Sequence, residues 1–329
     1  MKKFMNSTET MLRESLSGFA KCHRDIVALD SAFRFVRRKE VKPGKVALIS
    51  GGGSGHEPLH AGFVGHGMLD AACSGQVFTS PTPDQMVAAA AAVDGGAGVL
   101  FIVKNYAGDV MNFALAAELC GANVETVVTD DDVAVEKSTH STGRRGVAGT
   151  MIVEKLMGAA AERGDDLPAL KSLGASVNAR TRSMGVALTS CTVPAVGRPT
   201  FDIADDEMEM GVGIHGEPGR RRIAMMPADA IAEELVDTIV HDFDAPAGSE
   251  VLLLVNGFGG TPSLELYLMY EAATRQLAKH ELKATRSIVG NYVTSLEMAG
   301  CSITVTFLDA QLTSLWDAPV HTAALRWRI

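Results

Sequence analysis

Hydrophobic residues along this chain fall into short runs, each soon followed by Gly, Asn or Asp. Val46-Ala47-Leu48-Ile49, Val99-Leu100-Phe101-Ile102-Val103 and Val124-Glu125-Thr126-Val127-Val128 are of this kind. Such runs, bounded by turn formers, predict buried strands feeding loops. Between them, Pro83 to Val93, with Asp84 in its first turn, and Asn112 to Leu119 are rich in Ala, Met and Leu and predict helices. A second series follows the polar segment Gly174 to Ser183. Its strands are Met184 to Leu188, Val251 to Val255, Ser287 to Val289 and Ile303 to Phe307, and its helices Ala228 to Val240 and Ser263 to Lys279. The expected fold is α/β in two subdomains, 1–183 and 184–329, each on a largely parallel or mixed sheet flanked by helices.

Composition narrows the partners. The 329 residues carry a net charge of −9, and the longest basic run is Arg220-Arg221-Arg222. Phosphate backbones are bound by clustered positive charge, so no nucleic-acid surface is expected. Cys22, Cys73, Cys120, Cys191 and Cys301 are odd in number, widely spaced and outside any CxxC pair, which argues against a disulfide framework or structural zinc. The N-terminal Phe4 to Glu9 lacks the apolar core of a signal peptide, and no segment approaches the roughly 18 apolar residues of a membrane span. The expectation is a reduced, cytoplasmic protein whose partner is a small molecule or another protein, with no membrane contact.

Three loops could carry chemistry. Ser50-Gly51-Gly52-Gly53-Ser54-Gly55-His56-Glu57-Pro58 follows the first strand, and four glycines in five residues let backbone approach a ligand closely. Walker A would need Gly-Lys-Ser/Thr at its end, GxGxxG would need Gly where His56 stands, and GxSxG would need helix formers in place of Glu57-Pro58. What remains is a glycine loop ending in an imidazole, facing either a ligand or, in a tight strand-to-helix turn, solvent. Lys104-Asn105-Tyr106-Ala107-Gly108-Asp109 closes another strand and would share the rim of the sheet with His56. Asp109 then either pairs with His56 in acid/base work or caps a helix starting near Val110; spacing leaves both open. In the third loop, Gly211 to Gly219, His215 has little cover from its neighbours and is a nucleophile or base, or else a turn histidine. Asp130-Asp131-Asp132 could hold magnesium but reads better as a solvated loop. Ser80, in Thr79-Ser80-Pro81-Thr82-Pro83, reaches a ligand or caps the next helix. His23, His60, His66, His140, His241, His280 and His321 read as surface or satisfied core residues.

Together, GGGSGHEP, KNYAGD and GIHGEPG resemble the dihydroxyacetone kinase family, specifically its dihydroxyacetone-binding subunit or domain. FTSPTPDQM, DDDVAVEKS, GRRGVAGT, LTSCTVPAVGRPTF and LWDAPVHTAAL extend the likeness over nearly the whole chain. The resemblance implies that the ketose adds covalently to His215 as a hemiaminal and that His56 and Asp109 move protons at its carbonyl and terminal hydroxyl. Substrate contacts would come from Gly53, Ser54, Gly55 and Lys104, and more weakly from Ser80. Ala107 departs from the family only at a variable place. Single-chain members carry a further helical nucleotide domain, whereas this sequence stops at Ile329, so no cofactor is expected in this chain. The implied donor is a separate helical subunit carrying ADP and Mg, rephosphorylated by a phosphohistidine-carrying protein of the phosphoenolpyruvate phosphotransferase system, or else an ATP-using partner. A homodimer is implied as well. Two alternatives share the motifs: a ketose-sensing coactivator paralogue of a transcription regulator, and a kinase subunit for a four-carbon ketose such as erythrulose.

Overall fold

The computed structural model describes residues 2–121, 123–135, 143–217, 219–243 and 246–328. Its first half runs α1 (Met11–Cys22), β1 (Val27–Leu29), β2 (Val36–Arg38), β3 (Ala47–Ser54), β4 (Gly65–His66), β5 (Ala71–Val77), α2 (Pro83–Val93), β6 (Val99–Lys104), α3 (Ala107–Cys120), β7 (Val124–Thr129), α4 (Gly149–Arg163) and α5 (Leu167–Ala179). The second half runs β8 (Thr181–Ala187), β9 (Glu207–Met210), β10 (Arg221–Ala224), α6 (Ala228–His241), β11 (Glu250–Gly257), α7 (Ser263–Lys279), β12 (Lys283–Gly290), β13 (Gly300–Phe307), α8 (Ala310–Asp317), β14 (Val320–Thr322) and β15 (Arg326–Trp327).

The α/β fold expected from the sequence is present. The first sheet has the order β1-β2-β5-β3-β6-β7, and its β5-β3-β6-β7 portion is parallel. Every residue of β6 is buried, as its unbroken apolar run requires of a central parallel strand. The second sheet, β10-β9-β8-β13-β11-β12, is mixed, with β11 and β12 as its parallel pair. α2 starts at Pro83, whose fixed φ suits a first helical turn. The Thr82 N–H donates to Gln85 Oε1 at 2.9 Å, so Thr82 is the cap and Ser80 is not.

The polar stretch Gly174 to Ser183 is not a loop: α5 runs through it to Ala179 and β8 begins at Thr181. Gly174 serves packing there, since a Cβ would lie 2.7 Å from Val127 on β7. The chain changes sheets at Arg180, and β8 runs across residue 183. α8 packs on α4, and β14 pairs with β4 through His321 and His66, which returns the C-terminal residues to the first half. α4 lies between the sheets, buried along nearly its whole length. No helix among the described residues is long and apolar enough to cross a membrane.

An ion-pair cluster ties β2 to α4. Arg38 bonds Asp70 at 3.0 Å and Glu162 at 2.5 Å, and Lys45 also holds Asp70. Burial pushes the Glu162 carboxyl up, but Arg38, aided by Lys45 and His66, outweighs it and holds the group down at about 2. Its folded value lies below the ordinary 4.5, so its contribution to stability is present above that pH and is lost as pH falls toward about 2. Glu162→Gln is expected to remove this part of the acid sensitivity, read as a flatter dependence of the thermal midpoint on pH between these limits.

Candidate active site

The three glycines Gly51 to Gly53 form the end of β3 and not a loop after it. Backbone excludes a side chain at Gly51 and Gly53, and the Lys104 ammonium occupies the place of one at Gly52. A Cβ on Gly51 would lie 2.5 Å from Cys73 O, on Gly52 2.2 Å from Lys104 Nζ, and on Gly53 2.6 Å from the Thr79 nitrogen. From β3 the chain moves to β5 on one side and later to β6 on the other, which opens a crevice at the carboxyl ends of these strands. His56 follows β3, Phe78 follows β5, and Lys104 is the last residue of β6. The Ser54 hydroxyl donates to Gly75 O at 2.8 Å within the sheet. Gly55, at φ +101°, turns the chain, and its carbonyl accepts the Leu296 N–H at 2.8 Å.

That contact belongs to a clamp from the second half. Asn256, at the end of β11, accepts the N–H groups of Tyr292 and Val293 through Oδ1 and donates to Val293 O through Nδ2. The segment so shaped presents Thr294 O to His56 Nδ1 at 2.8 Å. A carbonyl only accepts, so Nδ1 carries the proton and Nε2 a lone pair. Burial, then the charges of His215 and Lys104, push the His56 imidazole well below its usual range, which keeps it neutral. His56 is fully buried, and its Nε2 has no hydrogen-bond partner among the described residues. A buried acceptor left unpaired is costly, and its position in the crevice makes it a socket for a ligand donor.

The neighbour of His56 is His215, edge-on with ring centroids 4.7 Å apart. Phe78 stacks on His56 at 5.0 Å and meets His215 at 5.2 Å, while Tyr106 meets His215 at 4.5 Å. The Tyr106 hydroxyl is also buried and unpartnered among the described residues. Glu217 orients His215: one carboxylate oxygen is 3.0 Å from Nδ1, and the other accepts the His215 backbone N–H at 3.0 Å. This carboxylate lies over Gly213, where a Cβ would be 2.1 Å from Oε2. Burial raises the Glu217 carboxyl, but the hydrogen bond and charge of His215, with the Arg145 guanidinium, outweigh it and bring it to about 2. Glu217 is thus ionised at neutral pH and only accepts, so Nδ1 of His215 carries a proton toward it, and no described residue bonds its Nε2. Arg145 anchors the loop by donating to Gly211 O at 2.8 Å and to Asp132 at 2.7 Å.

Asp109 is buried in the first turn of α3, which begins at Ala107, so it does not cap a helix starting at Val110. Its carboxylate lies 3.5 Å from Lys104 Nζ. Ser80 stands beside the same turn, where a Cβ on Gly108 would lie 3.5 Å from Ser80 Cβ, and its hydroxyl is 3.4 Å from Asn112 Nδ2. In the aspartate run Asp131 and Asp132 are buried and partnered, and only Asp130 is half-exposed. Asp131 accepts the N–H groups of Val147 and Gly149 and the Ser183 hydroxyl, Asp132 holds Arg145, and Asp130 pairs with Asn178. His140, the Glu136 to Ser138 end of DDDVAVEKS, Pro218 of the third loop and the terminal Ile329 lie outside the described residues.

The family model described as the Dak1 domain matches residues 17–324. The chain belongs to the Dak1 domain family. The kinase resemblance read from its loops therefore holds. Over 98% of this Dak1 chain and the whole of the other, it is 50% identical to the dihydroxyacetone-binding subunit of PTS-dependent dihydroxyacetone kinase 1 of Listeria innocua. The solved dihydroxyacetone kinase of C. freundii superposes with a TM-score of 0.87 at 34% identity, over 99% of this chain and 60% of that one. A dihydroxyacetone kinase operon co-activator superposes with a TM-score of 0.88 at 33% identity, over 94% and 96%. Within the Dak1 fold, His56 and His215 meet in one aromatic nest, while Lys104, Asp109 and Ser80 line the adjoining strand and helix ends. Sequence reading passed over Glu217, Arg145, Tyr106 and Asn256. Glu217, two residues after His215, was the most legible, because carboxylates commonly orient reactive imidazoles.

Proposed function

We propose that this chain is the dihydroxyacetone-binding subunit of a dihydroxyacetone kinase and holds the ketose covalently on His215. The observation that carries the reading is the pair of imidazoles in one nest. In each, Nδ1 is tied to a fixed acceptor and no described residue bonds Nε2. His215 Nε2 adds to the ketone carbon, and the carbonyl π pair moves to oxygen. Glu217 takes the Nδ1 proton; His56 Nε2, which carries no proton of its own, takes one from a water and passes it to the oxygen; the hydroxide left takes the proton from Glu217, and a neutral hemiaminal results. Asp109 receives the proton of the terminal hydroxyl as that oxygen attacks the phosphoryl group. Lys104 and the backbone of Gly53 to Gly55 line the substrate side. ADP and Mg reside on a separate helical subunit that closes over the crevice and is recharged by the phosphoenolpyruvate phosphotransferase system. The assembly is cytoplasmic, and this subunit is a homodimer.

The test is phosphorylation of dihydroxyacetone by the purified chain with and without the helical subunit. Turnover with the subunit supports the reading; adduct formation without turnover in any reconstitution would favour a ketose-sensing coactivator, whose fold is equally close. Erythrulose in the same assay decides the length of the ketose. Glu217→Ala is expected to slow adduct formation by about 10-fold, as freeing the ring lets it sample the other tautomer. Stopped-flow mass spectrometry measures that rate.

A further inference from the structure

Behind the site lies a buried polar group, His60, Glu154 and Ser50, that the proposed mechanism does not use. His60, in the turn after β3, has Nδ1 at 2.6 Å from Glu154 Oε1 of α4 and 3.0 Å from Ser50 Oγ of β3. The Ser50 hydroxyl donates to Ile102 O at 2.7 Å, so it faces His60 as an acceptor. On the other side of the ring, Nε2 is 2.9 Å from Lys104 Nζ. An ammonium has only donors, so Nε2 accepts and Nδ1 carries the proton toward Glu154. The directions agree along the chain, from Lys104 through His60 to Glu154. Lys104 reaches this place because Gly52 has no side chain. Its other contacts are longer: Gly51 O at 3.3 Å and the Asp109 carboxylate at 3.5 Å. His60, Lys104, Asp109 and Glu154 are all buried.

We infer that His60 is a positioning residue: oriented by Glu154 and Ser50, it holds the Lys104 ammonium against Asp109 and thereby fixes the carboxylate that receives the substrate proton. This rests on the role proposed for Asp109. Lys104 has the shortest of its contacts to His60, and a long flexible side chain held at one end by His60 presents its charge to Asp109 in one geometry. Burial and the Lys104 charge push the His60 imidazole well below its usual range, so it stays the neutral acceptor that the geometry requires.

The full chain, reconstituted with its helical subunit, is assayed as His60→Leu and His60→Gln, with ketone adduct on His215 measured in parallel. For His60→Leu the expected result is a fall in kcat of about 10-fold with KM for the ketone within about twofold of wild type and an unchanged adduct yield. His60→Gln, whose amide oxygen can accept from Lys104, regains most of the rate. Glu154→Met, which removes only the outer support, shows the same split and replaces His60→Leu if that variant does not fold. Wild-type kcat in the Leu variant, equal losses in the Leu and Gln variants, or a matching loss of adduct would each overturn the inference. A fully active Asp109→Asn protein would instead remove the reading on which it stands.

Discussion

In the His215→Ala protein, covalent capture of dihydroxyacetone is lost altogether while the fold is kept. The ring is partly exposed and sits in a glycine-rich loop held by Arg145 and Glu217, so its removal costs little packing, on the order of 1 kcal/mol. Of the two other imidazoles at the site, His56 is fully buried and stacked on Phe78, and His60 is engaged through both nitrogens. Intact-mass spectrometry after incubation with the ketone reads the loss. Glycerol, which has no carbonyl, gives no adduct with either protein. A wild-type adduct yield in His215→Ala would end the assignment.

Asp109→Asn and His56→Asn each lower phosphoryl transfer by roughly 100-fold or more, the scale of a positioned acid/base group. Asn keeps the size of the aspartate and one acceptor oxygen, and removes its charge and its capacity to take a proton. At position 56 it can still donate to Thr294 O, but it leaves no basic nitrogen at the place of Nε2. Both changes therefore separate chemistry from structure: turnover collapses, and adduct formation on His215 suffers less. Steady-state assays with the helical subunit, paired with adduct yields, measure the two effects. Wild-type turnover in either variant would return that residue to a structural role.

Much of this site was legible because its chemistry is concentrated in short motifs at strand ends. The short apolar runs predicted β3, β6 and β7, and the alanine-rich stretch matched α2 from Pro83 to Val93. What escaped had physical reasons. α4 is apolar on all sides, with Glu154 and Lys155 in its middle, so it lacks the polar face that marks a helix in sequence. Gly51 to Gly53 read as a loop because glycine is a turn former, whereas here the crowding of Cys73, Lys104 and Thr79 demands it within a strand. Asp131 and Asp132 read as solvated, yet they accept backbone and guanidinium donors that only the fold brings to them. The tautomer of His56 depends on Thr294, 238 residues away, and no local pattern could announce it.

The central claim is that a carbon–nitrogen bond forms between the ketone and His215 Nε2. It is tested most directly by NMR of protein with ¹⁵N-labelled histidine and dihydroxyacetone labelled with ¹³C at the carbonyl. The account predicts that the bound carbon becomes tetrahedral and shows one-bond coupling to Nε2 of His215. A bound ketone whose carbon keeps its carbonyl shift, or a coupling to any other nitrogen, would contradict it.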